Sequence, residues 1–202
     1  IVQAPEEGEA QAAYMASTGQ VWAASSQDFD SLLFGAPRLV RNLNITGRRK
    51  MPGSKVYRDI SIELIELSKV LEANGLRSRE QLIDLAILIG TDYNQGIRGI
   101  GPKKGLKLIQ QHGDLDGALR ALGESIPQAE CVQDIFLRSE KVDVQDMEWR
   151  SPDREKILDY LSDEHGFSEK RVLSALDRLD GRKKPSKKAE MPRSQVSLDR
   201  WV

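Results

Sequence analysis

The sequence is most informative first in what it lacks. It holds one cysteine, Cys131, in 202 residues, so no disulfide can form within the chain and a reducing compartment is expected. No apolar run approaches the roughly 18 residues of a membrane span, and there is no signal-peptide pattern, so no membrane partner is expected. There is no internal repeat. There is no initiating Met either: Ile1-Val2-Gln3-Ala4-Pro5 reads as the end of a strand followed by a proline-led helix start, so a preceding segment is expected. Finally, Tyr93 to Gln111 contains no Asp or Glu but four Lys/Arg.

What is present is a soluble globular composition, 30% charged and 39% hydrophobic, long enough for one core with an appendage. The net charge of −1 conceals segregation along the chain. Gly181 to Arg193 carries six Lys/Arg against one Glu, which with the basic 93–111 stretch points to a polyanionic partner.

Periodicity predicts a helix over Glu6–Ser17, a short buried strand over Gln20–Ser25 and a turn or short helix over Asp28–Leu33. Strands over Arg38–Leu43 and Lys55–Ile60 flank the basic loop TGRRKMPGS and read as a hairpin. Ser61 is placed to cap a helix carrying Ile62, Ile65, Leu67 and Leu71. Ser78 is placed to cap the next, with Leu82, Leu85, Ala86 and Ile89 as its apolar stripe. Further helices are expected over 106–112, 115–122, 128–139, 151–164 and 168–179. After Gly181 the composition cannot bury a core and reads as a flexible basic linker, before the last eight residues, QVSLDRWV, turn apolar again.

Two acidic pairs stand out. Glu7 and Glu9 sit at a helix start, where the helix dipole favours their ionised forms. Asp28 and Asp30 follow a strand, where i and i+2 in extended chain point to one side and Phe29 to the other. With Asp92 they make five carboxylates at the ends of apolar elements, unaccompanied by histidine or cysteine. Such an all-oxygen set suits Mg²⁺ or Mn²⁺ rather than Zn²⁺. Each residue alone has a commonplace alternative as a helix cap or turn residue.

The combination gains weight from GTDYNQGIRGIGPKKGLKLIQQHG, Gly90 to Gly113, with its six glycines. Glycine permits positive φ and close backbone approach. Pro102 fits the first turn of a helix. The loop glycines and the N–H groups of that helix start form an anion site, flanked by Lys103, Lys104 and Lys107. Ile97, Arg98, Gly99, Ile100 and Gly101 complete a device that holds a phosphodiester backbone without reading bases. A plain helix–helix turn with solvated lysines is the competing reading.

ILIGTDYNQGIRGIGPKKG resembles the helix–three-turn–helix segment of the flap endonucleases, structure-specific 5′-nucleases of the XPG family. APEEGEAQAAYM, ASSQDFDSLLFGAPRLVRNL and GTDY resemble that family's metal-site segments. WRSPDREKILDYLSDEHGFSEKRV resembles its C-terminal helical region, and QVSLDRWV its sliding-clamp peptide. The resemblance implies an α/β class: part of a PIN-like 5′-nuclease core over 1–60, and a helical region over 61–180 with the DNA-binding motif at about 82–112. A linker over 181–194 and the clamp peptide over 195–202 would follow. It implies Glu7, Glu9, Asp28, Asp30 and Asp92 as ligands of two Mg²⁺ ions, with Mn²⁺ able to substitute. It implies K⁺ at the loop carbonyls, and binding of the clamp PCNA through Gln195, Leu198, Trp201 and Val202. Two further metal-site aspartates and the basic helical arch of the family would precede Ile1. Val202 stands where an aromatic residue is usual. The lack of a basic tail beyond the clamp peptide implies an archaeal, cytoplasmic protein; a eukaryotic one would be nuclear.

The function implied is 5′ flap endonuclease and 5′–3′ exonuclease activity in DNA replication and repair, including Okazaki fragment maturation. The missing N-terminal part would be a partner, and the chain alone would be inactive. The alternatives are a non-catalytic DNA- and clamp-binding module, or a repair nuclease of the same fold acting on bubbles or nicks.

Overall fold

The computed structural model describes residues 1–44, 47–50, 53, 57–144, 147–148, 151–180 and 193–194. They form two compact units. One comprises Ile1–Val144 together with the strand Arg193–Ser194; the other falls within Gln145–Glu190. The expected boundary at residue 60 lies within the first of these units.

Helix α1 (Gly8–Ser17) turns Ala10, Ala13 and Ala16 inward, each at most 3% exposed. With methyl groups at these three positions, the helix packs closely on the strand and helix that follow. Strand β1 is just Ala24–Ser25, shorter than the six residues expected. The chain then leaves the sheet, forms α2 (Asp30–Leu33) and returns as β2 (Arg38–Arg41). β2 runs parallel to β1, with Ala24 opposite Leu39.

The expected hairpin between 38–43 and 55–60 does not form. Instead β3 (Gly47–Lys50) pairs antiparallel with β4 (Tyr57–Ile60) as a separate ribbon. β2 pairs antiparallel with β5 (Glu63–Glu66), Leu39 opposite Ile65. The helix expected from Ser61 thus begins only at Leu67, as α3 (Leu67–Ala73). Leu39 and Ile65 are both at most 1% exposed, and burying that cross-strand pair outweighs the helical spacing of residues 62–71. β6 (Arg193–Ser194) adds parallel to β5, so these two residues are strand rather than flexible linker. The rest of the linker and the clamp-peptide residues Gln195, Leu198, Trp201 and Val202 lie outside the described residues.

Five helices fill the rest of this unit: α3, α4 (Arg79–Ile89), α5 (Pro102–His112), α6 (Leu115–Leu122) and α7 (Ala129–Arg138). Leu82, Ile83, Leu85, Ile87 and Leu88 of α4 are at most 2% exposed, so this helix is buried nearly all round. It also carries Asp84, 4% exposed. That carboxylate accepts from the Leu115 backbone N–H at 3.1 Å and from the Gln133 amide at 2.6 Å, which ties α4 to α6 and α7. Gly105 lets α5 approach: a Cβ there would lie 2.8 Å from Leu85 Cδ1.

Beyond α7 the chain runs back along α1 as an extended strap. Glu6 accepts from the Glu140 N–H at 2.9 Å. Gln11, 3% exposed, donates to the Val142 carbonyl at 2.8 Å and accepts from its N–H at 2.9 Å. Tyr14 donates to Asp143, and Gln20 to the Val144 carbonyl at 3.3 Å.

The second unit pairs α8 (Arg154–Leu158) with α9 (Glu169–Leu179). The helix expected through Glu164 continues past Leu158 as a π-helical turn, Asp159–Glu164. Arg154 donates to Asp177 and Asp180, both at 2.8 Å. No described helix is long and apolar enough to cross a membrane.

Candidate metal and nucleic-acid site

The carboxylates lie where the topology leaves a crevice. Ligand sites in such sheets form beyond the carboxyl ends of parallel strands, and Asp28 and Asp30 follow the end of β1. Glu7 precedes α1 and Glu9 lies in its first turn. Asp92 follows α4. A cavity of about 530 Å³ is lined by Asp28, Asp30 and Asp92 together with Leu82, Leu85, Ala86 and Ile89.

Glu7 stands at the N-cap position but makes no side-chain capping bond. It accepts instead from the Tyr93 hydroxyl at 2.9 Å. Glu9 accepts from the Ser26 hydroxyl, whose oxygen takes the Asp28 backbone N–H at 3.1 Å. Ser26 therefore ties one acidic pair to the other. The extended geometry expected for Asp28 and Asp30 is not found. Phe29 is in the helical region and Asp30 opens α2. Phe29 does pack against the core, under the Arg41 guanidinium at 4.0 Å from its ring.

These groups feel one another's charge. Burial first, then the charges of Glu9, Asp92, Asp28 and Glu7, push the Asp30 carboxyl up to about 6. Burial also raises Glu9; the Ser26 hydrogen bond opposes this, and Asp28, Glu7 and Asp92 add to it. Glu9 is thus raised, opposite in direction to the helix-dipole expectation, with desolvation as the largest cause. Tyr93 is pushed up to about 12 by burial and by its bond to Glu7, with the charges of Glu7, Asp30 and Asp92 adding.

The donor chemistry fits a hard divalent cation, because the ligands are all oxygen and crowded like charges need an offset. The geometry is open: among the described residues no three of these carboxylates form a ready-made metal site.

The glycine segment closes α4 and opens α5. The Asn94 side chain donates to the Ile87 carbonyl at 2.8 Å, the Ile97 N–H to the Leu88 carbonyl at 2.9 Å and the Gly90 N–H to the Ala86 carbonyl at 2.8 Å. The carbonyls of Ala86, Ile87 and Leu88 in the last turn of α4 are thus satisfied by the loop itself. Gly96, at φ +65°, leaves no room for a side chain: a Cβ would sit 2.3 Å from the Ile89 carbonyl. Ile97 and Ile100 pack on the core, so their side chains anchor the loop. Arg98, Gly99, Lys103, Lys104 and Lys107 are exposed, and Gly101 precedes Pro102 at the first turn of α5. The Lys104 ammonium donates to the Gly99 carbonyl at 3.2 Å.

Ser26, Tyr93 and Asn94 are the residues that sequence reasoning passed over. The only signal for Tyr93 was its place directly after Asp92.

The XPG I-region pattern matches residues 1–92. Flap endonuclease 1 of Archaeoglobus fulgidus is 50% identical over 201 residues, which covers 100% of this chain and 57% of the relative. The solved flap endonuclease-1 from Methanococcus jannaschii is 41% identical with a TM-score of 0.72, covering 88% of this chain and 51% of that one. The catalytic core of Rad2 in complex with DNA substrate gives a TM-score of 0.69 at 24% identity, covering 88% of this chain and 64% of that one; this shows the shared fold. The chain spans about half the length of the curated relatives it matches.

Proposed function

We propose that the chain belongs to the XPG family of nucleases that includes the flap endonucleases, and that it forms part of a structure-specific 5′ flap endonuclease of DNA replication and repair; the match over residues 1–92 and the 50% identity to a flap endonuclease 1 support this reading. The observation that carries this reading is the gathering of five mutually repelling carboxylates, from three separated stretches, beside a glycine loop with exposed lysines.

Nucleases of this family are metal-dependent. Glu7, Glu9, Asp28, Asp30 and Asp92 would hold two Mg²⁺ ions, or Mn²⁺ in their place, together with aspartates from a region preceding Ile1. Ions held there would supply Lewis acidity for hydrolysis at phosphorus. Ser26 keeps Glu9 in register with the Asp28 backbone. Lys103, Lys104 and Lys107, with the backbone of residues 97–101, grip duplex phosphates without reading bases. K⁺ at this loop would share the Gly99 carbonyl with Lys104 or displace it. Gln195, Leu198, Trp201 and Val202 would dock on PCNA. The proposed setting is the archaeal cytoplasm.

The open arrangement of the carboxylates favours a second reading, a DNA- and clamp-binding module that is inactive by itself. A labelled 5′ flap substrate separates the two. The chain alone should leave the flap uncut, and adding the N-terminal half of a relative should give cleavage one nucleotide inside the junction. No cleavage by the mixture would leave the binding module as the account of this chain. Robust cleavage by the chain alone would show that the essential groups have been misplaced.

A further inference from the structure

We propose that Tyr93 is a positioning residue for the carboxylate site: its phenol fixes the orientation of Glu7 and couples the acidic half of the site to the DNA-binding half. The proposal rests on the reading of Glu7 as a metal ligand. Tyr93 adjoins Asp92 in the loop after α4, while Glu7 lies 86 residues earlier, at the foot of α1. The hydroxyl donates to Glu7 Oε1 at 2.9 Å. A single donor satisfies one carboxylate oxygen and restricts its rotation while Oε2 remains available for a ligand.

The donor is itself held from two directions. Its backbone N–H donates to Thr91 Oγ1 at 3.1 Å. Its ring meets Phe136 edge-on, with centroids 5.6 Å apart and planes at 74°. Phe136, fully buried, packs in turn on Phe34 at 5.0 Å, just beyond the helix that starts with Asp30. An aromatic hydroxyl on so braced a ring has little freedom to swing away. Glu7 itself is exposed and has no capping bond to hold it, so in its absence the carboxylate would sample several rotamers.

Calorimetric titration of Mn²⁺ into wild type, Glu7→Gln, Tyr93→Phe and the double variant tests this. Tyr93→Phe keeps the ring on Phe136 and removes only the hydroxyl. It should weaken Mn²⁺ binding by about tenfold, the usual scale for loss of an outer-shell partner, with the melting temperature nearly unchanged. In the Glu7→Gln background the same change should have no further effect. Wild-type affinity in Tyr93→Phe, alongside a weakened Glu7→Gln, would overturn the proposal while sparing the metal site. A fall in melting temperature above about 10 °C would also overturn it, by making the hydroxyl a fold contact. No Mn²⁺ binding by wild type, or no loss in Glu7→Gln, would instead remove the metal-ligand reading on which the proposal rests.

Discussion

Asp84 and Leu115 meet across 31 residues: the carboxylate accepts the backbone N–H that starts α6, at 3.1 Å. Gln133 donates to the other oxygen, so one buried acid satisfies donors from two helices. Asp84→Ala should strand both donors out of reach of water and cost about 3 kcal/mol. Asp84→Asn should cost less, since one carbonyl oxygen remains to accept. Urea denaturation monitored by circular dichroism checks the order of the two variants.

Asp30 makes stability depend on pH. Its carboxyl is raised to about 6 in the fold, against about 3.9 in an unfolded chain. The folded state therefore binds its proton more tightly. The associated stability is fully present below about pH 4 and is lost as pH rises through about 6. Asp30→Asn removes the titration. In metal-free buffer it should be more stable than wild type at pH 7.5, on the order of 1 kcal/mol after allowing for solvent screening. The gap should close between pH 6 and 4, as urea midpoints at a series of pH values will show.

The three exposed lysines of α5 predict a salt effect. Each lost phosphate contact should reduce the slope of log K against log salt by about 0.9. Replacing Lys103, Lys104 and Lys107 by Ala should lower affinity for duplexes of any sequence equally. Fluorescence anisotropy at several salt concentrations, with two unrelated duplexes, measures both features.

Leu198 and Trp201 are three apart in sequence, a spacing that a 3₁₀ turn formed on a partner would place on one side. Trp201→Ala should weaken binding to a PCNA ring by about 2 kcal/mol or more, the scale of an aromatic hot spot. Val202→Phe should strengthen it by burying more surface. Calorimetry with and without residues 195–202 provides the reference.

Much of this architecture was legible because local signals agreed with tertiary needs. α6 spans Leu115–Leu122, the range expected, and α4 follows Ser78 and ends before Gly90. The candidate carboxylates could be picked out from their positions at the ends of apolar runs. β5 could not: SIELIELSKVL has helical spacing, and only pairing with β2 makes a strand of residues 63–66. The same limit hid Ser26 and Tyr93. Their roles depend on partners 17 and 86 residues away, a distance that periodicity does not see.

The strap over α1 has a consequence for how the protein comes into being. Its bonds join residues up to 134 apart, and closing a loop of that length costs about 4 kcal/mol of chain entropy. On a ribosome, α1 would emerge long before Val142 and Val144. Until they appear, the Gln11 amide has no strap to dock on and the helix bearing Glu9 lacks that brace. Full bracing of the helix that bears Glu9 thus waits for a five-residue stretch that carries none of the site's own carboxylates.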